Sequence, residues 1–119
     1  AISFDENAKN GMYLFHVGTV RATARKQVRE NIVSDCVISM DVRFDNSKVL
    51  EAKAKALRMD GVSYVRIAVN EGKLRLGGII MTVLVCGDTR PHVMAAMDSL
   101  LCKLKTVCIT EHENFRCIL

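Results

Sequence analysis

The stretch Gly72-Lys73-Leu74-Arg75-Leu76-Gly77, followed by the apolar run Ile79 to Cys86 and then Gly87-Asp88-Thr89-Arg90-Pro91, decides the fold. Glycines bracket a segment that is apolar on both faces, the mark of a strand buried in the centre of a sheet. That strand empties into a helix start, with Asp88 or Thr89 as cap and Pro91 in the first turn. Val93, Met94, Met97, Leu100, Leu101 and Leu104 then give a broad apolar helical face. Working outward, Val62 to Val69 reads as a strand, with Ser63, Val65, Ile67 and Val69 on one side, and Asn70 to Lys73 as a turn. Before it, Asp45-Asn46-Ser47 is cap chemistry, and Val49 to Met59 follows at helical spacing (Val49, Leu50, Lys53, Ala54, Leu57). Asp60-Gly61 ends that helix, with Gly61 in the left-handed conformation.

Cys36 to Phe44 alternates. Cys36, Ile38, Met40, Val42 and Phe44 face one way, and Val37, Ser39, Asp41 and Arg43 the other. Met12 to Val20 is a nearly continuous apolar strand, and Thr106 to Glu111 is a last one. His112 to Leu119 carries no assigned element. From Cys36 onward the order is β-α-β-β-α-β, the ferredoxin-like split arrangement preceded by one extra strand. The fold class expected is therefore α+β, with a mainly antiparallel sheet and both helices on one face.

A chain of 119 residues, half of them apolar, fits a single domain spanning residues 1–119 with a core of its own. With no tryptophan and 5% aromatics the core is aliphatic. No apolar run reaches the roughly 20 residues that span a bilayer. No basic leader precedes an apolar stretch, so no secretory signal is read and a cytoplasmic location is expected. The five cysteines (Cys36, Cys86, Cys102, Cys108, Cys117) include no C-x-x-C pair, and buried free thiols are the expected state. No histidine pairs with a cysteine or carboxylate at ligand spacing, so neither a metal nor a resident cofactor is expected.

A net charge of +4 and the cluster Arg21, Arg25, Lys26 and Arg29 favour an anionic partner. Nucleic acid is disfavoured by the scarcity of stacking aromatics. Two arginines stand out. Arg21 follows an apolar strand in Gly18-Thr19-Val20-Arg21, where its fork can grip a phosphate or carboxylate. Arg90 opens a helix, where a cation opposes the helix dipole, so local stability does not explain it. Beside the free backbone N–H groups it suits an anion site. Lys105 closes the same helix, a place that favours a cation in any case.

These phrases, in this order, resemble the large, catalytic subunit of molybdopterin synthase. Gly18, Val20 and Arg21 match a G-x-V-R strand end. Gly72, Leu74 and Gly77 match a G-x-L-x-x-G turn. Arg90 matches a helix-opening arginine, Leu104-Lys105 a Leu-Lys pair closing that helix, and Glu113 a glutamate ending a short strand. The resemblance covers roughly residues 11 to 113. It implies sulfur transfer to cyclic pyranopterin monophosphate from the thiocarboxylated C-terminal Gly-Gly tail of a small ubiquitin-like partner, and a homodimer of large subunits. It implies Arg21, Arg90 and Thr89 as substrate-binding residues and Lys105 and His112 as catalytic ones. Thr89 stands where the family usually has a histidine. Val69-Asn70 replaces a His-Arg pair. Cys108-Ile109-Thr110-Glu111-His112-Glu113 replaces a phrase with a catalytic lysine, and His112 falls close to that position.

Three functions stay open at this stage: an active sulfurtransferase, a pterin- or carrier-binding paralogue without turnover, and a basic nucleic-acid module. Helical geometry adds one constraint. Arg90 and Lys105 at the two ends of one helix lie about 22 Å apart at ~1.5 Å per residue. They serve different sites, or a dimer brings them together.

Overall fold

A computed structural model describes the backbone of residues 10–21 and 35–117, with side chains described for 10–21 and 39–113. Arg25, Lys26 and Arg29 lie outside the described residues. The elements are β1 (Met12–Thr19), β2 (Asp35–Phe44), α1 (Asn46–Leu57), β3 (Val62–Val69), β4 (Gly72–Arg75), β5 (Ile79–Gly87), α2 (Arg90–Lys103), a π-helical turn (Leu104–Cys108) and β6 (Ile109–Cys117). The α+β class and the β-α-β-β-α-β order from Cys36 both hold, with β4 added.

Among the described residues the strands form two three-stranded sheets, ordered β1-β5-β3 and β4-β2-β6, and every pairing is antiparallel. A ferredoxin-like sheet would set β2 beside β5. Here β1 occupies the free edge of β5, from Met12↔Gly87 to Thr19↔Ile79. The corresponding edge of β2 is taken by β4, from Ser39↔Arg75 to Val42↔Gly72. Both edges are thus satisfied, and the sheet divides. Sequence reading put a turn at Asn70 to Lys73. Instead β4 begins at Gly72, and Gly72 and Gly77 bracket it with φ of 112° and 77°, angles that disfavour any side chain.

The core follows from β5. Ile80, Met81, Val83, Val85 and Cys86 are all buried, as the two-sided apolar run requires. Onto its helical side pack Val49, Ala52 and Ala56 of α1 and Val93, Ala96, Met97 and Leu100 of α2. The α1 stripe is therefore Val49, Ala52 and Ala56. Leu50 and Leu57, which share the sequence spacing, lie on the exposed side. Leu104, Met40 and Val42 join the same cluster, so the two sheets share one core. Each large aliphatic side chain buried this way contributes about 1.5–3 kcal/mol. The opposite face of the first sheet stays open: Tyr13, Phe15 and Val17 of β1 are exposed, so β1 is not a two-sided buried strand.

Capping sets the helix positions. Asp45 is the N-cap of α1, and its side chain accepts from the Lys48 backbone N–H at 3.3 Å. Thr89 is the N-cap of α2 and makes no side-chain cap bond. Asp88 Oδ1 instead accepts from the Thr89 backbone N–H at 2.6 Å and lies 2.8 Å from His92 Nδ1. Gly61 has φ of 78°, and a Cβ there would meet the Asp88 and His92 side chains. Gly61→Ala is therefore expected to destabilise the protein by at least ~1 kcal/mol in urea denaturation. An unchanged midpoint would contradict the left-handed conformation at this residue. No helix of the described residues is long and apolar enough to cross a membrane.

Candidate functional site

At the junction of the two sheets lies a cavity of about 150 Å³, lined by Thr19, Arg21, Met40, Ile80, Lys105, Glu111 and Glu113. The register explains the location. Thr19 pairs with Ile79 at one end of the first sheet. Val20 N–H donates to Gly78 O and Gly77 N–H to Val20 O, which fixes the chain as it leaves β1 for Arg21. Met40 faces the same space from β2.

Lys105 arrives by a less obvious route. Sequence reading made it the last helical residue before a strand at Thr106. Instead α2 ends at Lys103, and Leu104–Cys108 forms a π turn closed by the Ile109 N–H donating to Leu104 O. Thr106 Oγ1 donates to Cys102 O at 2.7 Å, four residues back. Such side-chain back-bonding perturbs a helix end, and single π turns of this kind recur at functional sites. The extra residue per turn carries Lys105 out of the phase of α2, while Leu104 is held at 0% exposure in the core.

The strand after the turn supplies two carboxylates. β6 runs to Cys117, beyond the Glu111 end expected from sequence. Glu111 pairs with Val42 and Glu113 with Met40, so strand alternation puts both on the side of those buried residues. Lys105 Nζ donates to Glu111 Oε1 at 3.1 Å, with the two side chains 35% and 15% exposed. His112 pairs with Asp41, faces away from Glu111 and Glu113, and is exposed.

The structure thus brings Arg21 and Lys105 together, adds Glu113, and leaves His112 on the opposite face of its strand. Thr89 and Arg90 sit elsewhere. They follow Gly87, which pairs with Met12, whereas the cavity lies at the Thr19 end of the same strands. Both are exposed. Glu111 is the charged lining residue that sequence reading left without a role. The E-x-E spacing around His112, which a strand must turn to one face, was the available signal.

His16 does not line the cavity but feels the charge of Lys105. It is half-buried on β1 in phase with Gly18, and its pKa is lowered, first by burial and then by the positive charge of Lys105. The sign is definite: protonating His16 is harder in the folded chain than in the unfolded one. Stability from this group is full above the ordinary histidine value near 6.5 and is lost as pH falls below it. An NMR titration is expected to give His16 a midpoint below that value and to move it upward in Lys105→Ala. A midpoint insensitive to Lys105 would separate His16 from the site.

Cys86 and Cys108 are buried free thiols, and Cys102 is free but exposed. Burial pushes the Cys108 thiol upward, so it is no thiolate nucleophile at neutral pH. Among the described residues no three of His, Cys, Asp and Glu cluster closely enough to hold a metal ion.

Fold and cavity define an α+β protein with a charged pocket at the seam between two antiparallel sheets. The chain belongs to the MoaE family: the family model described as MoaE protein matches residues 1–107. Solved structures share the fold. The chain is similar to molybdopterin synthase from Staphylococcus aureus, at 14% identity and a TM-score of 0.74, covering 91% of this chain and 77% of that one. It is similar to molybdopterin cofactor biosynthesis protein E from Burkholderia multivorans, at 22% identity and a TM-score of 0.69, covering 96% and 73%. A complex of subunits 1 and 2 of molybdopterin-converting factor from Helicobacter pylori matches at 14% identity and a TM-score of 0.66, covering 90% and 68%. No curated protein matches significantly in sequence. Membership supports a place in molybdenum cofactor biosynthesis. The family match stops at residue 107, just before the strand that carries Glu111, His112 and Glu113.

Proposed function

We propose that this chain is the sulfur-transferring large subunit of a molybdopterin synthase. It takes sulfur from the thiocarboxylated Gly-Gly tail of a small ubiquitin-like partner and passes it to cyclic pyranopterin monophosphate, giving molybdopterin. The observation that carries this reading is the convergence of Arg21 and Lys105 on one cavity. Arg21 has the planar fork that suits a phosphate. Lys105 is placed to polarise the thiocarboxylate and to stabilise the oxyanion that forms as sulfur is displaced. Proton transfer falls to Glu113, which shares the cavity, rather than to His112.

Arg90 and Thr89 enter this scheme through a second copy of the chain. A homodimer that sets the start of α2 of one protomer against the cavity of the other would complete the substrate site. Mixing Arg90→Ala protomers with Lys105→Ala protomers should then restore part of the activity that each variant lacks alone.

One observation favours the alternative, a paralogue that binds pterin or sulfur carrier without turnover. Lys105 is paired with Glu111, and the β6 phrase Glu111-His112-Glu113 has no lysine where the family phrase has one. Reconstitution with thiocarboxylated partner and cyclic pyranopterin monophosphate decides between the two. Molybdopterin formation is expected. A stable complex that yields no product would select the binding protein.

A further inference from the structure

The cavity is bipolar rather than simply basic. Arg21 and Lys105 line it together with Glu111 and Glu113. The Lys105 ammonium is held by Glu111 Oε1 at 3.1 Å, and that carboxylate is only 15% exposed. Its position is fixed by β6, where Glu111 stands opposite the fully buried Val42. An entering ligand with negative charge alone meets Arg21 and a lysine already held by Glu111, and two carboxylates that offset both cations. A ligand that brings N–H donors beside its anionic group meets partners for both, since each carboxylate has further acceptor sites.

We propose that Glu111 is the specificity-determining residue of this pocket, rejecting bare anions and admitting phosphorylated heterocycles that present an amino-pyrimidine type donor edge. This inference rests on the pterin-phosphate reading above, and adds to it the residue that reads the heterocycle. Lys105 is then released to the ligand only when donor groups take its place on Glu111. Removing the Glu111 charge leaves Lys105 uncompensated and open to any anion.

The test uses the full chain and two probes, inorganic phosphate and a pterin bearing a side-chain monophosphate, titrated calorimetrically. Wild type is expected to favour the pterin phosphate. Glu111→Gln is expected to tighten inorganic phosphate roughly tenfold, as one released charge-assisted hydrogen bond allows, and to narrow the preference by the same factor. The gain should vanish in the Lys105→Ala/Glu111→Gln double variant, as coupled residues require. Glu111→Ala, with its melting temperature measured alongside, guards against a misfolded Gln variant. An unchanged ratio of affinities, a gain that survives without Lys105, or no binding of either probe to any variant overturns the proposal. Sulfur transfer is scored separately. A chain that transfers sulfur with an unchanged ratio keeps its function and loses this inference. A chain that selects the pterin phosphate and transfers no sulfur does the reverse.

Discussion

Lys105→Ala is expected to lower the rate of the proposed sulfur transfer by roughly 10²–10³-fold, the loss typical of removing one preorganised donor to a developing oxyanion. The same change leaves the fold nearly untouched. Its side chain is 35% exposed and ion-paired with Glu111, and partly exposed pairs of this kind contribute about 0–1 kcal/mol. Rate and melting temperature should therefore separate: a large fall in turnover beside a small shift in unfolding. The π turn makes the contrast sharp, because it sets the buried anchor Leu104 beside Lys105, to which the proposal gives the chemistry. A variant with wild-type turnover would remove Lys105 from the mechanism.

Leu104→Ala has the opposite profile. Leu104 is fully buried, and its carbonyl accepts from the Ile109 N–H that closes the π turn. Truncation leaves a cavity beneath the turn, at about 2–5 kcal/mol for a buried leucine. Urea denaturation should show the midpoint falling with little change in slope. Turnover at temperatures where the variant stays folded should fall as well, since Lys105 loses its support. A cost below ~1 kcal/mol would mean that the turn does not depend on core packing.

These two neighbours also mark how far the sequence could be read. The apolar run from Ile79 to Cys86 signals a central strand because both faces are apolar, and β5 is that strand. Gly61 signals a left-handed helix end, and its φ of 78° agrees. The division into two sheets was not legible. It depends on which strand takes each free edge of β2 and β5, a competition between distant segments that no local pattern records. The π turn was hidden for a related reason: Leu104 and Lys105 fit an α-helical pattern, and one threonine hydroxyl bonded to Cys102 O helps re-phase the chain. That shift decides the site. A strand starting at Thr106 leaves the facing of the next residues open, whereas β6 from Ile109, in register with β2, sends Glu111 and Glu113 inward and His112 outward. Arg21 and Lys105 were singled out from sequence position, and the seam between the sheets is what unites them. Thr89 and Arg90 were singled out the same way, and β5 carries them to the other end of the first sheet.

The decisive measurement follows the sulfur itself. The small partner, carrying a sulfur-labelled thiocarboxylate, is mixed in one turnover with this chain and cyclic pyranopterin monophosphate. The expected result is label appearing on the pterin in the wild type, with transfer slowed in Arg21→Ala and in Lys105→Ala. Label that remains on the partner with the wild-type chain, or that moves equally well in both variants, would contradict the assignment of this cavity as the sulfur-transfer site.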